Sequence, residues 1–368
     1  MFNTTHHSLL RFASTIAAFT LLLGSTTFAQ HYVQTDLTAN SKSVSGTATI
    51  DPNLVNAWGL SRSSSSFWWI SDNGTGLSTL YDGTGAIGPL VVTIPPPKNG
   101  TAPSTPTGTA FNFSKGFEVA PTLPAVFLFV TEDGTISGWN PGVDVSNAVI
   151  KVDRSQEGAI FKGVTIAKYL STVRLYATNF SAGTVDVYDR SFKLVTATGG
   201  FKDSSLPADY VPFGIQNVGG NIVVTFAHRK PGSTDEDHGA GIGYVDIFDL
   251  DGNLLVRVQH GPFLNAPWGI ALAPSDFGPF SHRLLIGNFG DGTIHAFNAV
   301  SGKFVGVMLN SAGTPLSIDG LWALSFGGNS TNSGSNTELY FTAGPNDESN
   351  GLFGKLTATA TEQLGNSE

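Results

Sequence analysis

The chain has 368 residues, 40% of them hydrophobic and only 13% charged, with 44 glycines, 19 prolines and no cysteine. So much apolar material excludes an intrinsically disordered chain, and the lack of cysteine excludes disulfides as its source of stability. A formal net charge of −9, with no block of Lys and Arg to offset it, excludes nucleic acid and anionic membrane surfaces as natural partners.

The first stretch reads as a secretory signal over residues 1–29. Arg11 is followed by an uncharged apolar run from Phe12 to Leu23, and Thr27-Phe28-Ala29 offers small residues at a cleavage site. Cleavage after Ala29 predicts a secreted protein, extracellular or periplasmic. No later segment approaches the roughly 20 apolar residues of a spanning helix, so no membrane span is expected. The segment from Tyr32 to Asn40 then reads as a strand.

From there a repeat takes over. An aromatic or small residue next to Gly, followed by an apolar strand, occurs in NAWGLS (Gly59), TPTGTAF (Gly108), IFKGVTI (Gly163), VPFGIQN (Gly214), APWGIAL (Gly269) and IDGLWALSF (Gly320). The spacing is roughly 50 residues, the length of a four-stranded propeller blade. A second strand ends in a polar turn in each unit, as in FWWISDNG, VFLFVTEDG and RLLIGNFGDG. A third ends in an aromatic and Asp or Asn, as in GTVDVYDRS and GTIHAFNAVSG, and a fourth completes most units.

The chain is therefore expected to be all-β, a six-bladed β-propeller with four-stranded blades over residues 30–356 and a polar tail over 357–368. The sixth unit has no fourth strand of its own. The mature N-terminal strand is expected to pair with that last blade and close the ring, which removes open sheet edges. The anchor glycines are expected at the crowded axis, where a Cβ would collide with a neighbouring strand. Trp58, Trp268 and Trp322 recur at one repeat position and are expected to pack between blades. The Pro-rich stretch 94–108 lies between two repeats and reads as an inter-blade loop.

These units resemble the NHL-type repeat. NAWGLSRSSSSFWWISDNGTGLSTLYDGTG, APWGIALAP and DGLWALSFGG together resemble a family of uncharacterised secreted bacterial propeller proteins. The resemblance implies fold and export and carries no established activity. Six-bladed relatives also include lactone hydrolases and other calcium-dependent enzymes, whose metal is held in the central channel by Asn, Asp and Glu; that similarity is one of architecture alone.

No G-x-S-x-G elbow, H-E-x-x-H or P-loop is present, so ordinary serine-hydrolase, zincin and nucleotide chemistry is not indicated. Two places can carry chemistry. One is the axial mouth, where strand ends and turns would gather Asn56, Asp72, Glu132, Asn179, His228, Asn265, Asn288 and Asp319. Such oxygen donors would suit Ca2+ as the cofactor, if any is used; the competing reading is that they cap turns. The other is the loop from His228 to Gly241, where Asp235, Asp237 and His238, with Glu236, form the densest ionisable cluster. Carboxylates beside imidazole can bind a divalent metal, and a solvated polar loop is the plainer account. The function expected from these features is a monomeric extracellular binding scaffold for a small molecule, glycan or protein. A metal-dependent, lactonase-like hydrolase or lyase in the channel is the alternative.

Overall fold

The computed structural model describes residues 1–2, 31–230 and 232–359. The secretory segment expected at 1–29 and most of the polar tail lie outside the described residues. Six four-stranded antiparallel units follow one another along the chain. Their innermost strands are Ala57–Ser61, Pro106–Phe111, Phe161–Tyr169, Tyr210–Val218, Pro267–Leu272 and Leu321–Phe326. We number the blades 1 to 6 in that order. The molecule is thus a six-bladed β-propeller, with the Pro-rich stretch running from blade 1 to blade 2.

Ring closure uses the strand expected from sequence. His31–Ala39 pairs antiparallel with Leu352–Ala358, with Tyr32 opposite Ala358 and Ala39 opposite Leu352. It becomes the outer strand of blade 6 and removes the edge that an open array would expose. The last blade therefore extends to Ala358, two residues into the stretch assigned to the tail.

Because successive side chains along a strand point to opposite sheet faces, each blade feeds two cores. Trp68 packs with Tyr340 and Phe353 of blade 6. Its neighbour Trp69 packs with Phe127, Phe129 and Trp139 of blade 2. Equivalent apolar clusters fill the other four blade interfaces, and a seventh lies on the axis.

Close approach at the axis explains the repeated glycine. A Cβ on Gly59 would lie 2.3 Å from the Thr107 carbonyl oxygen of blade 2, and one on Gly214 would lie 2.2 Å from the Trp268 carbonyl oxygen of blade 5. The sixth anchor needs correcting. Gly320 precedes its strand, at φ 65°, rather than lying in it. The axial position of blade 6 is Ala323, whose N–H donates to Thr342 Oγ1 (3.1 Å) as the Gly214 N–H donates to Thr225 Oγ1 (2.8 Å).

Gly214→Ala should therefore lower stability by about 1–3 kcal/mol, the usual range for overpacking. Gly46→Ala, where the added methyl meets nothing within 4 Å, should be near neutral. Urea denaturation of the two variants checks the difference, and equal midpoints would contradict the crowding account.

Candidate functional site

The residue before each axial position points into a ring at the face where inner strands begin and second strands end, the upper face. Blade by blade it is Trp58, Thr107, Lys162, Phe213, Trp268 and Trp322. The tryptophans expected to pack between blades meet instead on the axis. Trp58 stacks on Trp322 at 3.6 Å between ring centroids, Phe289 stacks on the same indole at 3.9 Å, and Trp268 meets both indoles edge-on. They plug the channel.

Lys162 is the exception in this ring, a cation where blades 1, 4, 5 and 6 place an aromatic. Its side chain is only 2% exposed. Nζ lies 5.1 Å, 5.4 Å and 5.9 Å from the ring centroids of Trp58, Phe180 and Phe213, so aromatic faces contribute to holding the charge. The stronger partners come from loops of the even blades. Nζ donates to Glu132 Oε1 at 2.7 Å and lies 3.6 Å from Glu236 Oε2. Burial alone would lower the Lys162 pKa, yet Glu132 and Glu236, with Glu348 behind them, outweigh it and the net shift is upward. The ammonium stays charged.

Each carboxylate arrives by a different local device. Glu132 is the first residue after the second strand of blade 2, where its N–H donates to the Thr105 carbonyl (3.0 Å). Asn73, Phe180 and Phe289 hold the same position in blades 1, 3 and 5. Glu236 comes from the insertion in blade 4 and is buried, with Oε2 lacking any hydrogen-bond partner. Glu348 ends a run of three residues in the left-handed region, Asn346, Asp347 and Glu348 at φ 57°, 50° and 62°, a backbone strain that needs support from its surroundings. Asn56, itself left-handed at φ 47°, ties the group together. Its Nδ2 donates to Glu348 Oε2 (3.2 Å) and Asn73 Oδ1 (3.3 Å), and its Oδ1 accepts from Trp322 Nε1 (2.9 Å). Asn73 Nδ2 in turn donates to Glu132 Oε2 (2.9 Å).

Three carboxylates around one ammonium cannot all be neutralised. The strain falls on Glu348, whose pKa is pushed up to about 7 by burial first and then by Glu236 and Glu132, against the opposing pull of Lys162. A half-buried acid that exchanges its proton near neutrality is suited to proton transfer.

Of the eight residues expected at the axial mouth, Asn56 and Glu132 join this cluster and the other six do not. Asp72 is wholly buried inside blade 1, where Oδ2 accepts the Thr79 N–H (3.0 Å) and burial raises its pKa well above the usual range. Asn179 donates to Asp186 (3.0 Å) within blade 3. Asn265 and Asn288 both donate to Asp291 of blade 5, at 3.3 Å and 3.2 Å, and Asp319 accepts the Asn346 N–H at 2.9 Å. His228 lies 3.5 Å from Asp237 and against the Tyr210 ring. In the blade 4 loop, Asp235 accepts from Ser233 (2.9 Å), while the His238 ring sits edge-on to Phe289 at 5.1 Å. Asp235, Asp237 and His238 thus turn to different partners. Among the described residues no three His, Cys, Asp or Glu side chains are placed to hold a metal. At the mouth the Lys162 ammonium already occupies the space between the carboxylates, so the donor set does not fit Ca2+ there. Lys162 and Glu348 were missed from sequence, and Lys162 carried a signal: it is the one basic residue before an anchor glycine.

No protein-family model matches the chain. Two uncharacterised proteins of Acanthamoeba polyphaga mimivirus are 33% and 32% identical to it over 321 residues, covering 84% of this chain and 76% and 82% of theirs. The chain belongs to their family. Among solved structures, the family fold seen here is similar to a streptogramin B lyase (TM-score 0.50, 11% identity, covering 89% of this chain and 98% of that one). It is also similar to a glucose dehydrogenase (TM-score 0.51, 12% identity, 89% and 100% covered). At such identities the likeness is one of fold. No helix among the described residues is long and apolar enough to cross a membrane.

Glu348 gives the site a pH signature. Its carboxyl titrates near 4.5 when unfolded and about 7 when folded, so its contribution to stability is fully present below about 4.5 and is lost as pH rises through 7. Glu348→Gln should flatten the fall in urea midpoint between pH 5 and about 8. An unchanged slope would mean that Glu348 does not feel the other carboxylates.

Proposed function

We propose that the protein is a ligand-binding propeller whose upper mouth takes a small molecule bearing N–H or O–H donors, an organic ammonium above all. The observation that carries this reading is the excess of carboxylate around Lys162. One ammonium faces Glu132, Glu236 and Glu348, and Glu236 Oε2 lacks a hydrogen-bond partner. A buried ion pair is weak support for a fold, since hydrophobic replacements of similar volume are often as stable. The fold alone gives no reason to place four ionisable groups here. Glu132 is 26% exposed and Glu348 is half-buried, so a ligand from solvent reaches both.

A hydrolase or lyase working at the same mouth is the second reading, favoured by the near-neutral Glu348. In its metal-dependent, lactonase-like form it would need a divalent ion where the ammonium sits. Without one, proton transfer falls to Glu348, with Lys162 as a fixed positive charge.

Thermal-shift measurements with butylammonium, glucose, gluconolactone and butanoate test the binding reading. Butylammonium should raise the melting temperature of the wild type, and Glu132→Gln and Glu348→Gln should each remove most of that shift. Stabilisation by butanoate instead, or a butylammonium shift that survives both variants, would count against it. Turnover of gluconolactone that Glu348→Gln abolishes would move the assignment to the enzymatic reading.

We also propose that the chain is exported, on the strength of the apolar run after Arg11 and the small residues ending at Ala29. N-terminal sequencing of protein recovered outside the producing cells should begin at Gln30. Recovery only from the cytoplasm, with an intact Met1, would refute export.

A further inference from the structure

The channel also opens at its other end, where the inner strands finish. A cavity of about 280 Å³ lies there, lined by Leu60, Arg62, Phe111, Thr165, Gln216 and Ser325 among others. A second cavity of about 220 Å³ shares Arg62, Gln216 and Ser325 with it. A narrow throat of about 30 Å³ leads up past Leu60, Val164, Ile270 and Leu324 to the underside of Trp268. The aromatic plug separates this space from the Lys162 site.

The lower mouth has the opposite electrical character to the upper one. No Asp or Glu lines any of these spaces, and Arg62 is the only charged residue that does. All its hydrogen bonds go to backbone carbonyls: Nε and Nη2 donate to Phe326 O (3.0 Å and 2.7 Å), Nη2 to Gly327 O (2.8 Å) and Nη1 to Ser63 O (3.1 Å), and the guanidinium carbon lies 5.3 Å from the Trp68 ring centroid. Carbonyls satisfy hydrogen bonds and leave the charge standing. Among the described residues no carboxylate pairs with it, and burial draws its pKa down from the ordinary arginine value. One Nη1 hydrogen is left over from this set of bonds.

Beside it stand two polar groups without a task. The Gln216 amide lines all three spaces and makes no hydrogen bond among the described residues, and neither does the Ser325 hydroxyl. A guanidinium without a carboxylate partner, an unused amide and hydroxyl, and an apolar throat make a recognisable set: charge and donors for a head group, with aliphatic walls for a short tail.

We propose that the lower mouth is a second ligand site, independent of the first, and that it takes a small organic carboxylate. The head lies against Arg62 and Gln216, and the aliphatic part lies against Leu60, Ile270 and Leu324.

Isothermal titration of the purified protein with hexanoate, at low ionic strength and beside hexanol and hexylammonium, tests this. Hexanoate should bind, with the other two at least about tenfold weaker. Gln216→Leu, which breaks no hydrogen bond of the fold, should weaken hexanoate several-fold. Arg62→Gln should abolish the preference for carboxylate over alcohol, and Arg62→Lys should retain it. Should Arg62→Gln fail to fold, because Arg62 ties blade 1 to blade 6, Gln216→Leu together with Arg62→Lys decides. Lys162→Met should leave hexanoate binding unchanged. The proposal fails if wild type does not bind hexanoate, if Gln216→Leu has no effect, or if a Lys162→Met variant that circular dichroism shows to be folded no longer binds it, which would place the anion on the upper ammonium.

Discussion

Everything at the centre of this molecule follows from how closely six strands approach one axis. At that distance a side chain at the axial position of blades 1 to 5 crowds its neighbour: a Cβ there would lie between 2.2 Å and 3.1 Å from backbone of the next blade. Glycine lets the strands close, and closure forces the preceding residues into a single ring. Aromatic residues at that position in neighbouring and facing blades then meet on the axis. Tryptophan and phenylalanine at four of the six make a plug, and the plug is dry enough that a charged residue among them acquires unusual weight. Lys162 is that residue.

The consequences spread outward from its ammonium. A buried charge requires partners, and here they come from the loops of blades 2, 4 and 6, each reaching the axis by its own route: a tight turn for Glu132, a long insertion for Glu236, a left-handed turn for Glu348. Asn56 and Asn73 hold the spacing by bridging Glu348 and Glu132. The arrangement overshoots neutrality, and the surplus negative charge appears as the raised pKa of Glu348. It also explains why a divalent ion has no place at this mouth. The protein supplies its own cation, covalently attached and fixed in position by three aromatic faces.

The propeller was legible because its repeat is written in residues with strict steric jobs. Gly59, Gly108, Gly163, Gly214 and Gly269 mark the axis in five blades, and the lack of a fourth strand in the sixth unit points to the segment at Tyr32 as the strand that closes the ring. The sixth anchor misled because Ala323 fills the axial position while an unrelated turn glycine, Gly320, stands three residues earlier. The site was less legible. Glu132 and Asn56 sit at repeated turn positions and could be named. Most residues at such positions satisfy turns, as Asn179, Asn265, Asn288 and Asp319 do, and nothing local separates the two uses. Glu236 and Glu348 lie in loops of unrelated length and conformation, so their meeting is a property of the ring alone. Lys162 needed only a comparison across the repeats, since a lysine where four of the other five units place tryptophan or phenylalanine breaks the pattern without a packing reason.

The distribution of the core explains how the fold tolerates this. Stability resides in six inter-blade clusters, each buried between two sheets. A buried ion pair costs several kcal/mol of desolvation per ion before its own attraction is counted. That cost falls on the seventh cluster, which no blade depends on for its sheet pairing. The same separation lets the two ends of the channel diverge. The plug of Trp58, Trp268 and Trp322 stands between an acidic upper mouth and a lower mouth whose one charge is Arg62, so a ligand at one end makes no contact with the groups at the other. Loops can then change the chemistry of either end without disturbing the strands that position both.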